Sequence, residues 1–133
     1  DSGIFYYEVN ILKLERNAHV SIGLITTQPR SCGYQSNGIL YGPTAMSSGS
    51  IGYVKASSAE PFGVGDVIGC GVDLATRQLI YTKNGARLDT ADLFVPSAAD
   101  LLPIVAFCCS DGKIEATDGK IEANFGPNFK YKF

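Results

Sequence analysis

Gly63-Val64-Gly65-Asp66-Val67-Ile68-Gly69-Cys70-Gly71-Val72-Asp73-Leu74-Ala75-Thr76-Arg77-Gln78-Leu79-Ile80-Tyr81-Thr82-Lys83-Asn84-Gly85 reads as two strands joined by a turn and closed by another. Val67 to Leu74 is apolar and β-branched, with Gly69 and Gly71 leaving room for close packing. Asp73 to Thr76 supplies turn chemistry. Gln78 to Lys83 alternates polar and apolar residues. Asn84-Gly85 is a strong hairpin signal, because a type I′ turn needs φ > 0 at both central positions. A buried antiparallel hairpin therefore forms the centre of the expected fold.

Outward from the hairpin, the remaining chain reads as further short strands. Ile4 to Leu14 places Phe5, Tyr7, Val9 and Ile11 on one face, against Tyr6, Glu8 and Asn10 on the other. After the polar turn Glu15 to Ala18, His19 to Thr26 is a second strand, ended by Gln28-Pro29-Arg30. Ser31 to Ser58 is rich in Gly and Ser and reads as loops around short strands at Ile39–Tyr41 and Ser50–Val54. Ala86 to Leu88 is a short return strand, Asp89 to Asp92 one helical turn, and Pro96 to Asp100 a surface loop. Leu102 to Cys108 and Ile121 to Phe125 are the last strands. No segment carries a sustained helical period. The expectation is all-β: one domain over residues 1–133, an antiparallel β-sandwich.

Asp111-Gly112-Lys113-Ile114-Glu115-Ala116 repeats as Asp118-Gly119-Lys120-Ile121-Glu122-Ala123. An odd-numbered repeat cannot simply extend a strand, since a one-residue slip reverses the faces. The second copy is assigned to the strand because Phe125 follows it, and the first bulges or loops out.

Composition excludes several functions. The net charge of −2 lacks the basic excess of a nucleic-acid binder. No apolar run approaches the roughly 18 residues a membrane-spanning helix needs. A targeting peptide, where one exists, lies upstream of Asp1. Cys32, Cys70, Cys108 and Cys109 form no C-x-x-C, and His19 is the only histidine, so neither a zinc set nor any other metal or cofactor site is expected. Cys70 reads as a small core residue, and the sparse cysteines favour a reducing working compartment. No basic neighbour stands close to Cys108-Cys109 to activate a thiol. His19 reads as a solvated strand-end residue, no Gly-x-Ser-x-Gly is present, and Gly63-Val64-Gly65 lacks the third glycine and helix of a phosphate loop. No two carboxylates can be assigned to one cleft. Catalysis is not expected.

The chain resembles the SPRY domain family. The resemblance rests on Gly3-Ile4-Phe5-Tyr6-Tyr7-Glu8-Val9, Val20-Ser21-Ile22-Gly23-Leu24, Gly33-Tyr34, Phe62 to Asp73, and Tyr81-Thr82-Lys83-Asn84-Gly85. Leu102-Pro103-Ile104-Val105 and Ile121-Glu122-Ala123-Asn124-Phe125-Gly126 complete it. Within the family it is similar to the SPRY domain of the Ran-binding protein of the microtubule-organising centre. Phe62 to Phe94, Ala98 to Leu101 and Ala123 to Lys130 look most like secreted SPRY effectors of plant-parasitic cyst nematodes.

The resemblance implies a bent, concanavalin-like sandwich whose end loops bind other proteins, with no enzyme activity and no cofactor. It also implies a secreted effector that enters the host cytoplasm or nucleus and acts on a host protein in immune signalling, such as a leucine-rich-repeat receptor. The alternatives are an intracellular scaffold or ubiquitin-ligase substrate receptor and, less well supported, a lectin-like domain. The family's upstream strands are missing before Gly3-Ile4-Phe5, which predicts an exposed sheet edge able to pair with another copy.

Partner-binding positions follow from the family's loops. The turn before β-branched Val20 gives Asn17 and Ala18; alanine there forfeits a hydroxyl contact seen in relatives. The Gly/Ser-flanked segment gives Tyr34, Gln35 and Asn37, with packing over the sandwich end as the competing reading for Tyr34. The segment after Leu102 to Phe107 gives Cys108, Cys109, Ser110 and Asp111, where relatives carry an indole that this tryptophan-free chain lacks. Pro96 is added as a rigid loop residue, with a plain turn role as its alternative. A flat protein–protein contact is expected rather than capture of a short peptide.

Overall fold

The computed structural model describes residues 3–15, 18–25, 31–45, 51–90, 94–95, 101–109 and 119–133, with backbone alone at 31, 42–45, 51–58, 108 and 109. Ten strands are present among the described residues: β1 (Ile4–Leu14), β2 (Ala18–Ile25), β3 (Ser31–Gln35), β4 (Ile39–Ala45), β5 (Ile51–Ser58), β6 (Val67–Asp73), β7 (Leu79–Lys83), β8 (Ala86–Arg87), β9 (Leu102–Cys109) and β10 (Gly119–Asn124). They form two five-stranded antiparallel sheets, ordered β10-β1-β6-β7-β8 and β5-β4-β3-β2-β9. No helix occurs among the described residues.

The β6–β7 hairpin sits inside the first sheet, with β1 on its other side. Asn84 and Gly85 take φ of 52° and 85°, as the two-residue turn demands. The Asn84 side chain accepts from Val67 N–H at 2.8 Å. Alternation then builds the core. Tyr7, Val9 and Ile11 of β1, Ile68, Cys70 and Val72 of β6, and Leu79 and Tyr81 of β7 face Val20, Ile22 and Leu24 of β2, Cys32 and Tyr34 of β3, and Leu40 of β4. The Tyr7 hydroxyl donates to Gly23 O, tying the sheets together through the core. Burial pushes the Cys70 thiol and the Tyr81 phenol well above their ordinary values.

One local expectation is revised. Ser31 to Ser58 holds more strand than expected: the short strands at Ile39–Tyr41 and Ser50–Val54 overlap the longer β4 and β5, and β3 joins them in a meander. Its Gly/Ser composition hides the alternation, and at least one small residue lies where a large ring approaches. A Cβ on Gly33, for instance, would stand 2.6 Å from the Tyr41 hydroxyl. On the face of β1 that carries Tyr6 and Glu8, both side chains are buried. The C-terminal segment beyond β10 lies over them, with Phe129 and Phe133 edge-on to Tyr6 at 4.9 Å and 5.0 Å. The second copy of the repeat forms β10, as expected, pairing Ile121 with Ile11 and Ala123 with Val9. The first copy and the expected loop 96–100 lie outside the described residues, and the expected turn 89–92 lies partly so.

Candidate protein-recognition surface

The register decides which loops share an end. Ala18 at the start of β2 pairs with Cys109 at the end of β9, and Ser21 pairs with Gln35 at the end of β3. The β3–β4 turn, the β5–β6 connection, the end of β9 and the chain between β1 and β2 therefore meet at one end of the sandwich. Of the expected partner-binding positions, Ala18, Tyr34, Gln35, Asn37, Cys108 and Cys109 belong to elements that reach this end. Asn17, Ser110 and Asp111 lie outside the described residues but are covalently joined to it. Pro96 also lies outside them; its neighbour Val95 donates to Arg77 O at 2.9 Å, at the β6–β7 turn and thus at the opposite end.

Exposure then separates these positions. Asn37 is exposed and Gln35 half-buried, while Ala18 is buried and only its strand-end position approaches the surface. Tyr34 requires a correction. It is a strand residue of β3, fully buried, rather than an accessible loop residue. Gly33 and Ser36, which made the segment look loop-like, are themselves buried. The Tyr34 ring packs edge-on to Phe62 at 4.7 Å, and its hydroxyl donates to Glu60 O. Burial, with the Glu60 and Asp66 carboxylates nearby, pushes its phenol up to about 12. Its chemistry is to position the segment Ala59 to Asp66, which the sequence reading left out of the site.

That segment forms a fixed shelf beside the β3–β4 turn. Ala59 N–H donates to Gly38 O at 2.5 Å and Phe62 N–H to Ser36 O at 3.0 Å. The Ser36 hydroxyl accepts from Val20 N–H at 3.2 Å, joining the turn to β2. Gly38 holds φ of 93°, a left-handed conformation that glycine adopts without strain. On the other side, Asp66 accepts from Gly63 N–H at 2.8 Å and from the Asn84 amide at 2.9 Å. Partial burial alone would raise the Asp66 carboxyl, but these two hydrogen bonds and the Lys83 ammonium hold it below its ordinary value. Lys83 also donates to Pro61 O at 2.9 Å and pairs with Glu60 at 3.4 Å.

The shelf presents Asn37, Glu60, Pro61 and Val64 to solvent, Val64 being 60% exposed. The combination of amide, carboxylate and small apolar groups on a backbone held by hydrogen bonds suits a flat contact with low ordering cost. The sequence signal for it was Asp66 lying three residues after Gly63 and within reach of the Asn84 turn. Among the described residues, no group of three His, Cys, Asp or Glu side chains could hold a metal ion.

A family model describing the SPRY domain matches residues 4–120. The chain is 31% identical over 150 residues to the Ran-binding proteins 9/10 homolog of Drosophila melanogaster, covering 97% of this chain and 13% of that protein. It is 33% identical over 133 residues to Ran-binding protein 9 of Xenopus tropicalis, covering 93% of this chain and 22% of that protein. For Ran-binding protein 9 of Homo sapiens the figures are 32%, 93% and 16%. The chain thus spans less than a quarter of the length of these relatives. In three dimensions it is similar to the SPRY domain of human HERC1, with a TM-score of 0.60 at 23% identity, over 93% of this chain and 76% of that one.

Proposed function

The chain belongs to the SPRY domain family and is a protein-interaction module, and from that premise we propose that it recognises a folded partner protein with the shelf end of the sandwich. The observation that carries this reading is the convergence of the β3–β4 turn and the Ala59–Asp66 segment into one surface pinned by backbone hydrogen bonds. Binding is non-catalytic: the shelf offers hydrogen-bonding groups and apolar area. In the finer reading the partner is a host protein of plant immune signalling, such as a receptor with leucine-rich repeats, and the domain is a secreted effector acting in the host cytoplasm or nucleus. Its support is the resemblance of Phe62 to Phe94 and Ala123 to Lys130 to nematode effectors.

A second reading, part of a larger intracellular scaffold, is favoured by the similarity to Ran-binding proteins 9 and 10. The full-length gene separates the two. A secretion signal directly upstream of this domain supports the effector; further domains and no secretion signal support the scaffold. The binding surface is tested by capture from plant cell extract with the domain and with an Asn37→Ala/Val64→Ser variant. Both substitutions are at exposed positions, so the variant keeps its fold. Replacing whole loops would not be informative, because Cys32 and Tyr34 are core residues. A protein retained by the first and lost by the second supports the reading; equal retention overturns it.

A further inference from the structure

We propose that β10 is a homotypic edge through which two copies of this domain join into one continuous sheet. Among the described residues β10 pairs with β1 alone, and no described strand occupies its far side. Open edges are usually guarded by charge, and β10 carries Lys120 and Glu122, both exposed. Their order makes the guard self-complementary. In an antiparallel pairing with the two-fold axis at Ile121, Lys120 of each copy stands opposite Glu122 of the other. Ile121 meets Ile121, and Gly119 meets Ala123. Directly opposed charges of opposite sign stabilise a strand pair, and like charges destabilise it.

The neighbour on the other side of β10 leaves these charges unanswered. Across the β1–β10 ladder Lys120 faces Lys13, and Glu122 faces Asn10. Lys13 pairs instead with Glu15, at 3.2 Å. Glu122 lines a recess of about 230 Å³ with Glu8, Asn10, Asn124, Asn128 and Lys130, and neither Lys130 nor Lys120 forms an ion pair with it. Among the described residues, neither edge charge forms an ion pair of the kind a second copy would supply. A two-fold interface of this kind is closed, so it makes dimers and not filaments. The inner side of the joined strands is apolar, with Ile121 packed on the core and the exposed Ala123 beside it.

The test is sedimentation velocity over a wide concentration range on the domain and three variants. The domain is expected to show a concentration-dependent monomer–dimer equilibrium. Lys120→Glu and Glu122→Lys each place like charges opposite one another twice per dimer. Each weakens association on the order of tenfold. The double exchange, Lys120→Glu with Glu122→Lys, restores it. Circular dichroism melts confirm that each variant is folded, as expected for exposed positions. A domain monomeric at every concentration, single variants that dimerise undiminished, or a double variant no better than the singles would overturn the proposal.

Discussion

Glu8 carries a carboxylate on a strand face that alternation assigns to solvent, yet it is only 2% exposed. It accepts the Tyr6 hydroxyl at 2.8 Å, Lys130 N–H at 2.8 Å and Tyr131 N–H at 3.0 Å. A buried carboxylate is tolerated when its lone pairs are filled in this way. Glu8→Ala would orphan both backbone donors, and the expected cost is about 2–4 kcal/mol in urea unfolding. The amides of Lys130 and Tyr131 should lose hydrogen-exchange protection in that variant. Asp66 is the opposite case, near the surface but also held by donors. Its carboxyl lies below the roughly 3.9 of an unfolded chain. The stabilisation is therefore fully present above the unfolded value and is lost as pH falls through the folded one. Asp66→Asn should melt earlier than the parent at pH 7, and the two should converge in acid; a constant gap across pH would contradict the assignment. Tyr34 shows why such residues were hard to read. Its Gly33 and Ser36 neighbours have loop composition, and only the partners Phe62 and Glu60, far along the chain, reveal a core position.

Strands with a clear apolar pattern were visible in the sequence. β1, β2, β6 and β7 emerge within a residue or two of their expected bounds. β3 to β5 did not; at Gly33 of β3 the small residue answers to the close approach of Ser21 and Tyr41, not to a polar–apolar alternation. The hairpin illustrates the close approaches. A Cβ at Gly71 would stand 2.3 Å from Phe5 O and 3.0 Å from Tyr6 Cα, across the β1–β6 ladder. These are backbone atoms, which cannot swing aside. Gly71→Ala should destabilise by about 1–3 kcal/mol. Gly63→Ala, with nothing within 4 Å of the added carbon, should be near neutral by the same thermal melt. Equal effects would mean that the hairpin is not packed against β1 as described. The C-terminal cover of β1 was illegible for another reason: Glu8 and its donor Tyr131 are separated by 123 positions.

At the scale of the molecule, the sandwich brings four chain segments to one end and sets two charged residues on β10, the outermost described strand of its sheet. The first arrangement was legible through the family's loop order, although the shelf from Ala59 to Asp66 was not. The resemblance drew attention to sequence-variable loops, whereas the shelf is made by hydrogen bonds between segments remote in sequence. The second arrangement needed the ladder itself, since only the register shows that β1 sets Lys13 against Lys120 and Asn10 against Glu122. The two surfaces are separate, so substitutions at one should leave the other unchanged. The most direct measurement is quantitative capture from host-cell extract with three baits: the domain, Asn37→Ala/Val64→Ser, and Lys120→Glu. The account predicts a protein held by the first and third and lost by the second. Retention by all three, or loss only with Lys120→Glu, would contradict recognition at the shelf.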